Sequence, residues 1–167
     1  FDEQVWKIGK RLVTKLFNAG KFALAQTGEV HPIAAELDRA FVAELSGLVE
    51  RVTAHFEDWN FAHGLQETET FFWTHFTDTY LELAKPRARW FEDGATGDQA
   101  AESGSAVAAL RLGFNVLLRL FAPVMPYVTE EIWSWTFAEE TGEASIHTAP
   151  WPSASDFAGI AAPDDAG

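Results

Sequence analysis

Apolar residues recur every three or four positions along most of this 167-residue chain, which is the period of an amphipathic helix and not of a strand. In residues 2–25 the repeat runs through Val5, Ile8, Leu12, Leu16 and Ala19, and Gly28 and Pro32 then mark a turn. A second helix is predicted over 33–56 on Leu37, Phe41, Leu45, Leu48, Val52 and Phe56. A third, over 60–85, carries Phe61, Leu65, Phe72, Phe76, Tyr80 and Leu83. Pro86 should end or kink it, because proline disfavours the helical region for the residue before it. Residues 92–104 hold three Gly and four acids, offer almost nothing to bury, and read as a mobile loop. A fourth helix over 105–122 repeats Val107, Leu110, Phe114, Leu117 and Phe121 and is closed by Pro123 and Pro126. A fifth, over 126–139, places Thr129, Glu130 and Glu131 in its first turn, where carboxylates suit the helix dipole. Residues 145–152, SIHTAPWP, read as extended, and the Ala-, Asp- and Gly-rich tail from Ser153 reads as frayed. The expectation is an all-α, up-and-down helical bundle of about five helices over 1–152, with a flexible tail over 153–167.

Composition sharpens this picture without changing it. Apolar residues make up 47% of the chain, enough for one packed domain of this length. With no cysteine, disulfides, thiolate metal sites and thiol nucleophiles are excluded, which suits a reducing, cytoplasmic setting. No stretch reads as the roughly 20 consecutive apolar residues of a membrane span. The start, FDEQVWKIGK, has no signal-peptide core and no initiating Met, and reads as the edge of an excised piece.

Charge does change the picture. A net charge of −13 argues against general nucleic-acid binding, yet five of the twelve cations fall within the first 21 residues. At about 100° per residue, Val5, Ile8, Leu12, Leu16, Ala19 and Ala23 lie on one side of the first helix. Lys7, Lys10, Arg11, Lys15 and Lys21 lie on the other, within an arc of roughly 140°. Asn18 sits near the middle of that arc and Phe22 also falls in it. A solvated helix face usually mixes signs, whereas no acid lies between Lys7 and Lys21. Single-stranded RNA would answer all three residue types, with phosphates for cations, splayed bases for a ring and base edges for an amide. Three further cations, Lys85, Arg87 and Arg89, follow a helix end, where they suit either the helix dipole or an RNA backbone. Trp73, Phe76 and Tyr80 recur at helical spacing and read as core, while Asp78 on the neighbouring face either holds a cation or is solvated.

Other chemistries find no support. His31, His55, His63, His75 and His147 form neither Glu-x-x-His nor His-x-x-x-His, and the glycines match no phosphate-binding loop or dinucleotide fingerprint. No nucleophile–base pair stands out.

Four segments in order carry a family resemblance. KLFNAGKF (15–22) is similar to the Lys-Leu-Trp-Asn-Ala-x-Arg-Phe segment of valyl-tRNA synthetases, departing at Phe17 and Lys21. FFWTHFTDTYLELAKPRAR (71–89) resembles their Phe-x-Trp-x-x-Phe-x-Asp-x-Tyr-Leu-Glu-x-x-Lys-x-Arg stretch, with Thr77 and Thr79 where Cys and Trp are usual. LLRLFAPVMPYVTEEIW (117–133) resembles the segment ending Met-Pro-Phe-x-Thr-Glu-Glu-x-Trp, and SIHTAPWP (145–152) the piece that follows it. The resemblance is to the anticodon-binding domain of these class I enzymes. It implies a helical bundle that holds the anticodon stem-loop of valine tRNA and adjoins the catalytic domain of the parent chain. The catalytic signatures His-Ile-Gly-His and Lys-Met-Ser-Lys-Ser are absent, so ATP and the charging reaction are assigned to that parent domain, with no cofactor or metal in this segment. By resemblance the specific contacts fall on Asn18, Lys21 and Phe22, with Lys at 21 suiting a phosphate better than a bidentate base contact. An isoleucyl or leucyl counterpart, or a helical protein-interaction module, are the alternatives.

Overall fold

The computed structural model describes residues 3–26, 31–90 and 92–164, and the side chains of Val5 and Ile8, like Gly28, lie outside what is described. Helix α1 spans Glu3–Ala25 and α2 spans Glu36–Glu57. A third rod follows without a break, as α3 (Phe61–Phe71), a π-helical stretch (Phe72–Tyr80) and α4 (Leu81–Ala88). Helix α5 spans Asp98–Phe121, α6 Pro126–Trp135 and α7 Phe137–Thr141. The core is one cluster in which Leu12, Leu16, Leu45, Phe72, Phe76, Leu110, Phe114, Leu117 and Trp133 are buried.

Helix α5 is the central element, with most of its side chains from Ser103 to Phe121 buried. By length and composition it is apolar enough to cross a membrane, contrary to the sequence expectation. However, 78% of the apolar window is buried among the other helices, which is the place of a core helix. It also starts seven residues before the expected boundary, so residues 98–104 are helix and not loop. The reason is size. Ser103, Gly104, Ser105 and Ala106 are buried, and small side chains permit a close approach that a count of large apolar residues overlooks. A Cβ on Gly104 would lie 2.2 Å from the His31 ring.

Pro86 does not end the third rod but sits in its final turns, and α4 continues to Ala88. Threonine hydroxyls bond to the backbone within the π-helical stretch. Thr77 Oγ1 donates to the Trp73 carbonyl at 2.9 Å and Thr79 Oγ1 to the Thr74 carbonyl at 2.7 Å, and such back-bonding competes with the helical ladder. Phe72, Phe76 and Tyr80 still share one buried face, with the Tyr80 ring stacked on Phe41 at 3.9 Å.

The segment 145–152 turns back on itself and is not extended, with the Thr148 amide donating to the Ser145 carbonyl and Ala149 to Ile146. Glu130 Oε2 anchors it by accepting from the Ile146 amide at 3.0 Å. Within the described residues the tail makes contacts with the bundle. Arg119 pairs with Asp156, and Arg39 donates to the Ala162 carbonyl at 2.7 Å and to Asp164 at 2.8 Å.

Candidate nucleic-acid interface

The exposed side of α1 and one side of the third rod face each other across a groove. From α1 come Lys7, Lys10, Arg11, Thr14, Lys15 and Asn18, which with Trp73 line a space of about 530 Å3. Lys15 and Asn18 also border a second space of about 410 Å3, lined further by Phe22, Thr77, Leu81, Glu82, Lys85 and Arg89. The two spaces are neighbours that share Lys15 and Asn18, and together they make up the groove. Of the rod's lining residues, Trp73, Thr77, Leu81, Lys85 and Arg89 are spaced four apart and form one stripe, with Glu82 beside it.

The groove brings together eight of the ten residues singled out from sequence and separates two. Lys7, Lys10, Arg11, Lys15, Asn18, Phe22, Lys85 and Arg89 line it. Lys21 projects to the other flank of α1, where its ammonium lies 4.7 Å from the Phe17 ring centroid and Phe17 meets Trp135 edge-on at 4.8 Å. Arg87 is a correction. Its side chain is 14% exposed and pairs with Asp38, whose side chain is fully buried. Two residues along a helix is about half a turn, so Arg87 points into the bundle where Lys85 and Arg89 point to the groove.

Asp38 is the centre of a buried knot that sequence reasoning missed. One carboxylate oxygen accepts from Arg87 at 2.6 Å and from the Tyr80 hydroxyl at 2.7 Å, and the other from Arg87 at 3.1 Å and Ser105 at 2.7 Å. Ser105 Oγ in turn accepts the Ala34 and Ala35 amides, so α5 caps the start of α2. Burial, reinforced by the Asp38 charge, pushes the Tyr80 hydroxyl well above its ordinary range. Burial alone would lower Arg87, but the hydrogen bond and charge of Asp38 outweigh it and hold the guanidinium above its ordinary value.

In the groove the cations rest on aromatic rings. Arg11 and Lys15 lie 5.1 and 5.3 Å from the Trp73 centroid, and Lys85 and Arg89 lie 5.6 and 5.9 Å from Phe22. Trp73 and Phe22 are both half-buried, so neither is plain core nor a free surface ring. The far wall supplies some acid. Lys15 meets Asp78 at 3.5 Å, Lys85 pairs with Glu82, and Trp73 Nε1 donates weakly to Glu69 at 3.4 Å. Among the described residues, Arg11, Lys15, Lys85 and Arg89 stand against three carboxylates (Glu69, Asp78, Glu82), and Lys7 and Lys10 add two further cations to the lining. Trp73, read as core from the sequence, packs on the core with one side and lines the groove with the other, and Asp78, left as an open choice, meets Lys15 beside the groove. The +4 spacing of Trp73, Thr77, Leu81 and Lys85 lies within the expected helix, but nothing in the sequence sets that stripe against α1.

Comparison with known proteins identifies a family. A family described as the anticodon-binding domain of tRNA ligase matches residues 38–165, and so begins after α1. Curated relatives extend the match over the first helix. The valine–tRNA ligase of Thermobifida fusca is 42% identical over 169 residues, covering 98% of this chain and 18% of its own length. That of Cutibacterium acnes is 42% identical over 158 residues (93% and 17%), and that of Leifsonia xyli subsp. xyli 41% over 154 residues (90% and 16%). The chain therefore spans less than a fifth of each of these relatives.

Proposed function

This chain belongs to the anticodon-binding domain family of tRNA ligases, and from that premise we propose that its groove holds the anticodon stem-loop of a valine tRNA. The observation that carries the proposal is the facing pair of stripes, which collects six cations around two rings and an amide in a chain of net charge −13. A protein this acidic would otherwise repel RNA, so the place where its cations gather is where RNA can approach.

The work of the groove is recognition. Lys7, Lys10, Arg11 and Lys15 neutralise loop phosphates from α1, and Lys85 and Arg89 do so from the lower end of the rod. Asn18, at the junction of the two spaces, offers a donor and an acceptor to a base edge. Phe22 presents a ring to a splayed base, and Lys21 reaches backbone phosphate on the outer flank. Arg87 leaves the contact set because Asp38 holds it. Valine activation by ATP and its transfer to tRNA belong to the catalytic domain of a longer, cytoplasmic valine–tRNA ligase, of which this chain is the anticodon-reading part. The relatives' shared name supports valine over isoleucine or leucine.

A titration with a synthetic valine anticodon hairpin and an anticodon-swapped hairpin, each at two salt concentrations, tests this reading. Tighter binding of the valine hairpin, weakening as salt rises, is expected. Equal binding of both hairpins would remove the valine assignment, and salt-independent binding would remove the groove.

A further inference from the structure

We infer that Trp73 is a base-stacking residue kept covered in the free protein. Arg11 and Lys15 move from its ring to RNA phosphates when an unpaired base takes their place. The inference rests on the reading of the groove as an RNA-loop site and deepens it by naming a ring and an exchange.

The position of Trp73 is the first observation. It lines the larger of the two spaces, opposite Lys7, Lys10, Arg11 and Lys15, with its other side packed against the core. Its indole N–H is directed to Glu69, which orients the ring along the rod. A half-buried, oriented indole beneath a cationic rim has the geometry of a stacking platform.

The second observation is what covers the ring. Arg11 Cζ at 5.1 Å and Lys15 Nζ at 5.3 Å from the centroid occupy the place a base would take. A cation over an exposed ring is held more weakly than a base stacked on it. A cation that leaves the ring for a phosphate exchanges a quadrupole for a full charge. Both changes favour the same exchange, so one nucleotide displaces the cations with its base and receives them with its phosphate.

Asp78 gives the exchange a direction. Its carboxylate meets Lys15 at 3.5 Å from the rod side of the groove and disfavours phosphate there. The RNA backbone therefore runs along α1, and its base points across the groove to Trp73. Phe22 is covered in the same way by Lys85 and Arg89, but the longer distances and smaller ring make Trp73 the stronger platform.

The test uses the whole chain and two hairpins, an intact valine anticodon hairpin and one with identical phosphates but abasic loop nucleotides. The unaltered protein should bind the intact hairpin roughly tenfold more tightly than the abasic one. Trp73→Leu should remove most of that ratio, and Trp73→Phe should keep part of it. The intact hairpin should also quench indole fluorescence more in the unaltered protein than in Trp73→Phe, a readout that holds even if Trp73→Leu does not fold. A preserved ratio in Trp73→Leu, or equal quenching in the unaltered protein and Trp73→Phe, overturns the inference and leaves the groove reading standing. Failure of the unaltered protein to bind either hairpin overturns the groove reading itself.

Discussion

Lys85, Arg87 and Arg89 lie within five residues of one helix, yet they belong to two regions that use positive charge in opposite ways. Arg87 enters the knot around Asp38, where the two charges are fixed partners and the carboxylate is fully buried. Lys85 and Arg89 face the groove, where cations lean on a ring and pair at most with an exposed acid. In the knot the desolvation of each ion is offset by several hydrogen bonds with good geometry. In the groove little is desolvated, so little is lost when a cation moves to a new partner. The first arrangement fixes the bundle, and the second leaves charge available for a ligand. The number of cations in a segment therefore says little until each is matched to the anion it faces.

Asp38→Ala is the strongest way to break this comparison. It leaves the Arg87 guanidinium buried without its carboxylate and strips a partner from Tyr80 and Ser105. Removing one member of a buried pair costs about 3–5 kcal/mol. For a domain of this size each kcal/mol is worth roughly 2–4 °C in melting temperature. Thermal unfolding should drop accordingly. A change no larger than a surface substitution, within about 0.5 kcal/mol, would show that the knot does not hold the bundle together.

The contrast also shows what can be read from sequence. Large apolar residues at helical spacing located all the main helices, and Leu12, Leu16, Ala19 and Ala23 are buried as that spacing requires. The start of α5 was hidden because Ser103, Gly104 and Ser105 pack by being small, and smallness carries no periodic signal. The run of cations on one face of α1 was legible because it lies on a single helix, whereas what each cation meets was not. The rod's contribution was not, because which of its stripes faces α1 is decided by packing between helices, and only Arg89 lies beyond the expected helix end at residue 85. Arg87 could have been set apart from Lys85 and Arg89 by helical projection alone. Asp38 could not, since a lone acid early in a helix is ordinarily a solvated, dipole-favoured residue.

Tyr80→Phe probes the knot more gently and adds pH as a variable. The hydroxyl donates to Asp38 at 2.7 Å, and a hydrogen bond to a charged group contributes about 1.5–3 kcal/mol. Because folding raises the hydroxyl well above its ordinary value of 10.0, the neutral form is favoured in the folded state. Its contribution is full below about pH 10 and is lost as pH rises further, when the unfolded chain releases a proton that the folded chain retains. Urea unfolding across pH 8–11 should show a steeper alkaline decline for the unaltered protein than for Tyr80→Phe. Parallel declines would mean that the hydroxyl is not shielded in the knot.

On the groove side, Lys7→Glu combined with Lys10→Glu should act on binding. If both lysines meet phosphates of a single-stranded loop, the slope of log affinity against log salt falls by about 1.4, from roughly 0.7 per contact. Affinity for the valine hairpin should fall roughly tenfold or more at low salt, since two attractive charges become repulsive. Lys21→Glu, on the outer flank, should have the weaker effect. An unchanged salt slope in the double variant would place the RNA elsewhere on the molecule.

The smallest effect sharpens the boundary between the two regions. Gly9 lies in the cation-bearing half of α1, and a Cβ there would meet nothing within 4 Å. Alanine in a helix interior is favoured over glycine by up to about 1 kcal/mol, so Gly9→Ala should raise the melting temperature by a few degrees at most. Because the substitution adds no charge and touches no groove residue, affinity for the valine hairpin should stay the same. If affinity rises together with stability, the ordering of α1 is itself part of recognition. The groove would then depend on helix formation much as the knot depends on burial, and the separation drawn here between a fixed and an available charge would narrow.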